Sequence, residues 1–171
     1  MWLSEGAVNL STGPLLQAQT DNRLMTHMDG LESSGGWEHF PHEADMGIRG
    51  FGITKAQAFE QAALALTAVV TDPQQVDSQL ERHFTCDAPD DELLLVDWLN
   101  ALIYEMACGH MVFGRFDVTI TDHHLKAIAR GEPVDRIKHE PAVEIKGATY
   151  TALSVRKIEG NGWVAQCVVD V

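Results

Sequence analysis

Trp37-Glu38-His39-Phe40-Pro41-His42-Glu43-Ala44-Asp45, running on into Met46-Gly47-Ile48-Arg49-Gly50-Phe51-Gly52, is the stretch around which the chain is organised. Two histidines and three carboxylates fall between Glu38 and Asp45. Pro41 keeps the residue before it out of helix, because the proline ring crowds the helical conformation there. The segment up to Ala44 is therefore expected as a loop that turns into a strand at Asp45. Along that strand Met46 and Ile48 point to one face, and Asp45, Gly47 and Arg49 to the other. Glycines at 47, 50 and 52 imply a bulge or a close backbone approach. The same residues also fit a simple solvated turn.

On the N-terminal side, residues 1–35 show no sustained period and contain Ser11-Thr12-Gly13-Pro14 and Ser33-Ser34-Gly35. They are expected to be a mobile extension, with residues 36–171 as a single domain. On the C-terminal side, Thr54 and Gln57 make a capping box. Phe59, Ala62, Ala63, Leu66, Val69 and Val70 then repeat at helical spacing, and Asp72-Pro73 ends that helix near Thr71. Period two from Val76 to Cys86 predicts a half-exposed strand, with Val76, Leu80, Phe84 and Cys86 on one face. Asp90 or Asp91 caps a second helix, whose Leu94, Leu95, Trp98, Leu99, Leu102, Ile103 and Met106 form a broad apolar face closed by Gly109.

Beyond Met111 the pattern is β. Phe116, Val118 and Ile120 alternate with polar residues, Asp122–His124 reads as a turn, and Leu125, Ala127 and Ala129 resume the alternation. One long strand is expected from Val143 to Val155. Glu159-Gly160-Asn161-Gly162 signals a hairpin. The last strand, Trp163–Val171, is apolar on both faces and so central or covered. The order β-α-β-α-β-β-β-β predicts an α+β fold with two helices packed on a largely antiparallel β-sheet.

A chain of 171 residues with 45% hydrophobic content is large enough for one well-buried core. Its 25 acidic and 12 basic residues give a formal net charge of −13, without the cationic footprint of direct nucleic-acid binding. That charge suits a basic partner or a metal ion, and it also serves plain solubility. Cys86, Cys108 and Cys167 form neither a zinc pattern nor a disulfide framework, which places the protein in a reducing cytoplasm. No run approaches the ~20 apolar residues of a membrane span, and no secretory signal is expected. No nucleophile–base pair is visible. Gly47-Ile48-Arg49-Gly50-Phe51-Gly52 lacks the lysine and the strand-to-helix context of a phosphate loop.

Several separated motifs, in order, resemble the archease family. They are the Trp37-Glu38-His39 opening with its His42-Glu43-Ala44-Asp45-Met46-Gly47 core, Phe59 to Asp72, Leu94 to Asn100, His139 to Val155, and Val168-Val169-Asp170-Val171. The likeness covers nearly everything from Trp37 onward. It implies a non-catalytic activator of the GTP-dependent RNA-splicing ligase, which joins 3′-phosphate and 5′-hydroxyl ends, notably of tRNA halves. Such a protein promotes ligase guanylylation and turnover and meets tRNA only through the ligase.

The resemblance also implies that Asp45 and Asp170 bind metal, with the Val171 carboxylate as a third ligand. Three anions together repel unless a cation neutralises them. Oxygen-only ligands suit Ca²⁺, Mg²⁺ or Mn²⁺ better than zinc. His42 orients Asp45, adds a ligand, or simply fixes the loop. Glu38 and His39 are read as partner-facing or loop-fixing, and His139 as a loop contact. Lys146 either pairs with the acidic cluster, reaches the partner's nucleotide, or is a plain surface lysine. Glu43 stands where many relatives carry Thr, and Thr151 where many carry His. Two rivals stay open: a chaperone-like specificity modulator of an RNA-modifying enzyme such as a tRNA methyltransferase, and a metal-dependent hydrolase using Asp45, His42 and Asp170.

Overall fold

A computed structural model describes residues 35–160 and 162–171. The extension expected over 1–35 therefore lies, apart from Gly35, outside the described residues. The expected loop before Asp45 is a strand. Gly36–His42 forms β1 and pairs along its whole length with β2 (Asp45–Gly52), turning through Glu43 and Ala44. The reason is position: β1 is an edge strand, where proline's missing N–H is tolerated, and the extended backbone that Pro41 imposes on Phe40 is a strand's own. Glu43, at φ +50°, supplies the left-handed turn residue.

Helix α1 (Lys55–Val70) starts as the sequence predicts. Thr54 Oγ1 accepts the Gln57 N–H at 3.1 Å, while the Gln57 side chain accepts the Ile53 N–H at 2.7 Å. Phe59, Ala62, Ala63 and Leu66 are buried, and Thr71 caps the end before Pro73. The helix lies close on β2: a Cβ at Gly50 would sit 2.2 Å from both the Ala58 carbonyl oxygen and the Ala62 nitrogen. The glycines thus mark close approach rather than a bulge, and the β1–β2 register runs without a slip.

Strand β3 (Leu80–Asp87) begins later than the alternation from Val76 predicts. Pro73–Gln75 forms a 3-10 turn, and the N–H groups of Asp77 and Gln79 are drawn to the Glu132 carboxylate and the Gly131 carbonyl. Leu80, expected inward, is 41% exposed. Helix α2 (Asp91–Cys108) follows, its first turn capped by the Asp90 carboxylate accepting the Leu93 N–H at 2.8 Å. Strands β4 (Met111–Thr121) and β5 (His124–Pro133) join through Asp122 and His123, at φ +48° and +60°. Their sheet has the order β3-β5-β4.

The long strand expected from Val143 to Val155 is not continuous. A one-turn helix α3 (Arg136–His139) leads into an irregular stretch over 140–146, then β6 (Gly147–Ala148) and β7 (Ser154–Ile158). Both pair with β8 (Gly162–Asp170), but the register slips by three residues between them. Thr149 gives its hydroxyl to the Val168 carbonyl at 2.9 Å, and Ala152 is left-handed at φ +51°, so Tyr150 and Thr151 loop outward.

The α+β class holds, with two antiparallel sheets in place of the single one expected. The five-stranded sheet runs β1-β2-β8, with β6 and β7 also on β8. Strand β8 is central, as its two apolar faces predict: Val164, Ala165, Cys167, Val168 and Val169 are at most 1% exposed. Helix α1 touches β1, β2 and β8 of one sheet and β4 of the other, and α2 also reaches both sheets. One core results, holding Ile48, Phe59, Leu66, Trp98, Phe113 and Cys167. Among the described residues no helix is long and apolar enough to cross a membrane.

Candidate functional site

Directly opposed residues of neighbouring strands share a face, and of the cross-strand rows on the face of the five-stranded sheet away from α1, three lead to the sheet end. The first row is Glu38, Arg49 and Gln166. Arg49 donates through Nε to Gln166 Oε1 at 2.7 Å and through Nη1 to Glu38, and its guanidinium lies 4.6 Å from the Phe40 ring centroid. The second row is Phe40, Gly47 and Val168. Gly47 lets the Phe40 ring lie across it, since a Cβ would meet that ring at 2.3 Å and push it aside. The third row closes the sheet. His42 pairs with Asp45, and one residue beyond the Met46–Val169 pair the β2–β8 register sets Asp170 beside Asp45.

Lys146 reaches this sheet end from the other flank. Its N–H donates to the Asp170 carbonyl at 2.8 Å, and its Nζ stands 3.0 Å from the Val171 main-chain oxygen and 3.7 Å from Asp170 Oδ1. Asn100 on α2 secures the strand that carries it, accepting the Ala148 N–H at 2.9 Å and donating to the Ala148 carbonyl at 3.4 Å. The Lys146 and Asp170 side chains are 67% and 48% exposed, so their attraction is worth at most ~1 kcal/mol. His42 is half-buried and makes no hydrogen bond among the described residues.

The donors at this tip are two carboxylates and a main-chain oxygen, a set that suits a hard divalent cation such as Ca²⁺, Mg²⁺ or Mn²⁺. Lys146 already places one positive charge where such an ion would sit. Among the described residues no three His, Cys, Asp or Glu side chains gather closely enough to hold a metal. Side chains alone therefore do not form a closed cage, and a hard ion would need the Val171 oxygen and water to complete its shell.

Three predicted residues lie elsewhere. Glu38 shares the face but stands in the first row, paired with Arg49. His39 points to the helix side, where its Nε2 donates to the Ala65 carbonyl at 2.7 Å and ties β1 to α1. His139 is 2% exposed. Its Nδ1 accepts the Asp135 N–H at 2.8 Å, so Nε2 carries the proton and donates to Glu132 Oε1 at 3.0 Å.

Glu132 is the group that sequence reasoning missed. The Lys138 ammonium, then the Asp77 N–H and the His139 ring, hold its carboxyl at about 2. Gly131-Glu132-Pro133 ends a strand with no periodic signal that singles out its carboxylate. Arg49, Phe40 and Asn100 were also not singled out for the site. Only the glycine at 47 hinted at the close contact that positions Phe40.

The sequence profile described as the archease protein family matches residues 37–171. The chain is 38% identical over 139 residues to the Pyrococcus furiosus protein archease, covering 79% of this chain and 98% of that one. It is also 38% identical over 140 residues to the Methanosarcina mazei protein archease, covering 79% and 95%. Its fold is similar to the solution structure of Methanobacterium thermoautotrophicum protein 1598, with a TM-score of 0.70 and 31% identity over 80% of this chain and 99% of the other.

Proposed function

Because the chain belongs to the archease family, we propose that it is a non-catalytic activator of the GTP-dependent RNA-splicing ligase, acting in the cytosol through its acidic tip. The observation that supports this reading is the end of the β2–β8 ladder, which stops at Met46–Val169 with Asp45 and Asp170 as the next residue on each strand, and where Lys146 lies against Asp170 and Val171. Asp45, Asp170 and the Val171 main-chain oxygen would hold a divalent ion. Bound there, the ion would neutralise charge that develops on a phosphoryl group.

The chain's own part is to bind and place. The sheet end projects two carboxylates held at fixed spacing by the ladder, and His42 orients Asp45. Lys146 balances the tip before a partner arrives and is then available to the partner's nucleotide phosphates. A net charge of −13 keeps this protein off tRNA itself, so RNA is met only through the ligase.

The test is ligase guanylylation and multiple-turnover joining with catalytic amounts of wild-type, Asp45→Ala and Asp170→Ala protein. Stimulation by wild type alone is expected, together with loss of a divalent-ion-induced rise in melting temperature in both variants. Equal stimulation by all three would discard the acidic tip. No stimulation by any would redirect attention to the tRNA methyltransferase modulator.

A further inference from the structure

A cleft of about 840 Å³ opens between the last turns of α2 and the irregular stretch that follows α3. Its floor is apolar, formed by Val70, Ile103, Met106, Met111, Val134 and Ile145. Two methionines in one floor let it adapt to different apolar shapes. Val143 on the rim is 41% exposed, and Ile137, next along the chain from the rim residue Arg136, is 90% exposed.

Charge around the cleft is unbalanced. Glu140 and Glu144 line it, and neither has an ion-pair partner among the described residues; Arg136 lines it as well and is likewise unpaired. One carboxylate is thus in excess, on a chain whose net charge is −13. His110 and Glu140, both lining the cleft, are non-glycine residues held at φ +51° and +42°. The cleft also adjoins the acidic tip along the chain: Ile145, 5% exposed, belongs to its floor, and Lys146 is the residue that reaches Val171.

We infer that this cleft is a docking site for the same ligase, and that it takes a large apolar side chain flanked by arginine or lysine. The inference rests on the ligase reading above. A partner seated over the tip has its surface within reach of the cleft, and basic flanks meet the excess carboxylate. A second copy of this chain would bring another −13 to the contact, and RNA would bring phosphates, so both are disfavoured.

The experiment measures binding to the ligase by titration calorimetry, and stimulation as a function of activator concentration. Val143→Asp and Glu144→Lys change exposed rim residues that no core contact requires. Val143→Asp is expected to weaken binding about tenfold and Glu144→Lys about threefold, raising the half-stimulating concentration in step and leaving the plateau intact. Asp45→Asn is expected to bind like wild type and to lose the plateau. Rim variants that bind within twofold of wild type would overturn the cleft inference and leave the tip standing. No binding by wild type would overturn both.

Discussion

Replacing Glu132 by glutamine should loosen the junction from which the cleft rim and Lys146 are suspended. Glu132 Oε1 accepts the Asp77 N–H at 2.9 Å, the His139 Nε2–H at 3.0 Å and the Lys138 ammonium, while Oε2 accepts from Gln79 Nε2 at 2.6 Å. In Glu132→Gln the amide oxygen can keep the first set, and the Gln79 amide can turn to offer its oxygen to the new NH₂. Charge is what goes: the only carboxylate left to Lys138 is Asp77, whose side chain is 70% exposed. A hydrogen bond to a charged group contributes about 1.5–3 kcal/mol, so a loss of about 2 kcal/mol is expected at pH 7. Glu132→Ala should cost more, about 3–5 kcal/mol, because it leaves a buried imidazole N–H and a backbone N–H without acceptors.

Acid titration adds an independent check. The Glu132 carboxyl is held at about 2 in the fold, against an ordinary value of 4.5. The unfolded chain therefore binds the extra proton between those values, and stability rises with pH across that window. The contribution is fully present above about 4.5 and disappears as pH falls toward 2. Urea midpoints measured at several pH values should fall steeply in wild type and less steeply in Glu132→Gln. Asp135, held below the usual carboxylate range by the Lys138 and Ile137 N–H groups, keeps a residual slope in both. A Glu132→Gln protein within ~0.5 kcal/mol of wild type at pH 7, with an unchanged acid limb, would refute the network's role.

Gly50→Ala should cost about 3 kcal/mol or leave the protein insoluble, since its Cβ would lie 2.2 Å from two backbone atoms of α1 that no side-chain rotation can move; urea denaturation checks this. His110→Gly should raise stability by up to about 1 kcal/mol by relieving φ +51° just past the end of α2, read as a higher urea midpoint.

What the sequence could disclose was whatever local periodicity or capping decides. The Thr54 cap, the Asp90 cap, the stop at Asp72-Pro73 and the double-faced apolarity of β8 are all set by neighbouring residues, and each appears where expected. The errors occur where a distant partner decides instead. Pro41 excludes helix but does not separate loop from strand until β1 is known to be an edge. Alternation from Val143 to Val155 argues for one strand, yet Thr149 and Ala152 break the register against β8. The division into two sheets was equally invisible, because both sheets are built from antiparallel strands that read alike.

The tip sits between these cases. Asp45 and Asp170 were picked out by family resemblance, and only the β2–β8 register makes them neighbours. The paired ladder itself stops at Met46–Val169, so Asp45 and Asp170 stand just past its end, where like charges brought close would cost stability by roughly 0.2–1 kcal/mol. The third row could hold a neutral pair with no change to the core beneath it, because Met46 and Val169 carry the inward contacts at that level. The sheet end braces the adjoining row with Phe40 over Gly47 and brings a single lysine to Asp170 from a separately anchored strand, the arrangement that the metal-tip proposal calls on. The carboxylates are fixed by the sheet, whereas Lys146 hangs from a two-residue strand and is 67% exposed. If the proposed cation binds at the tip, the lysine is the part expected to move.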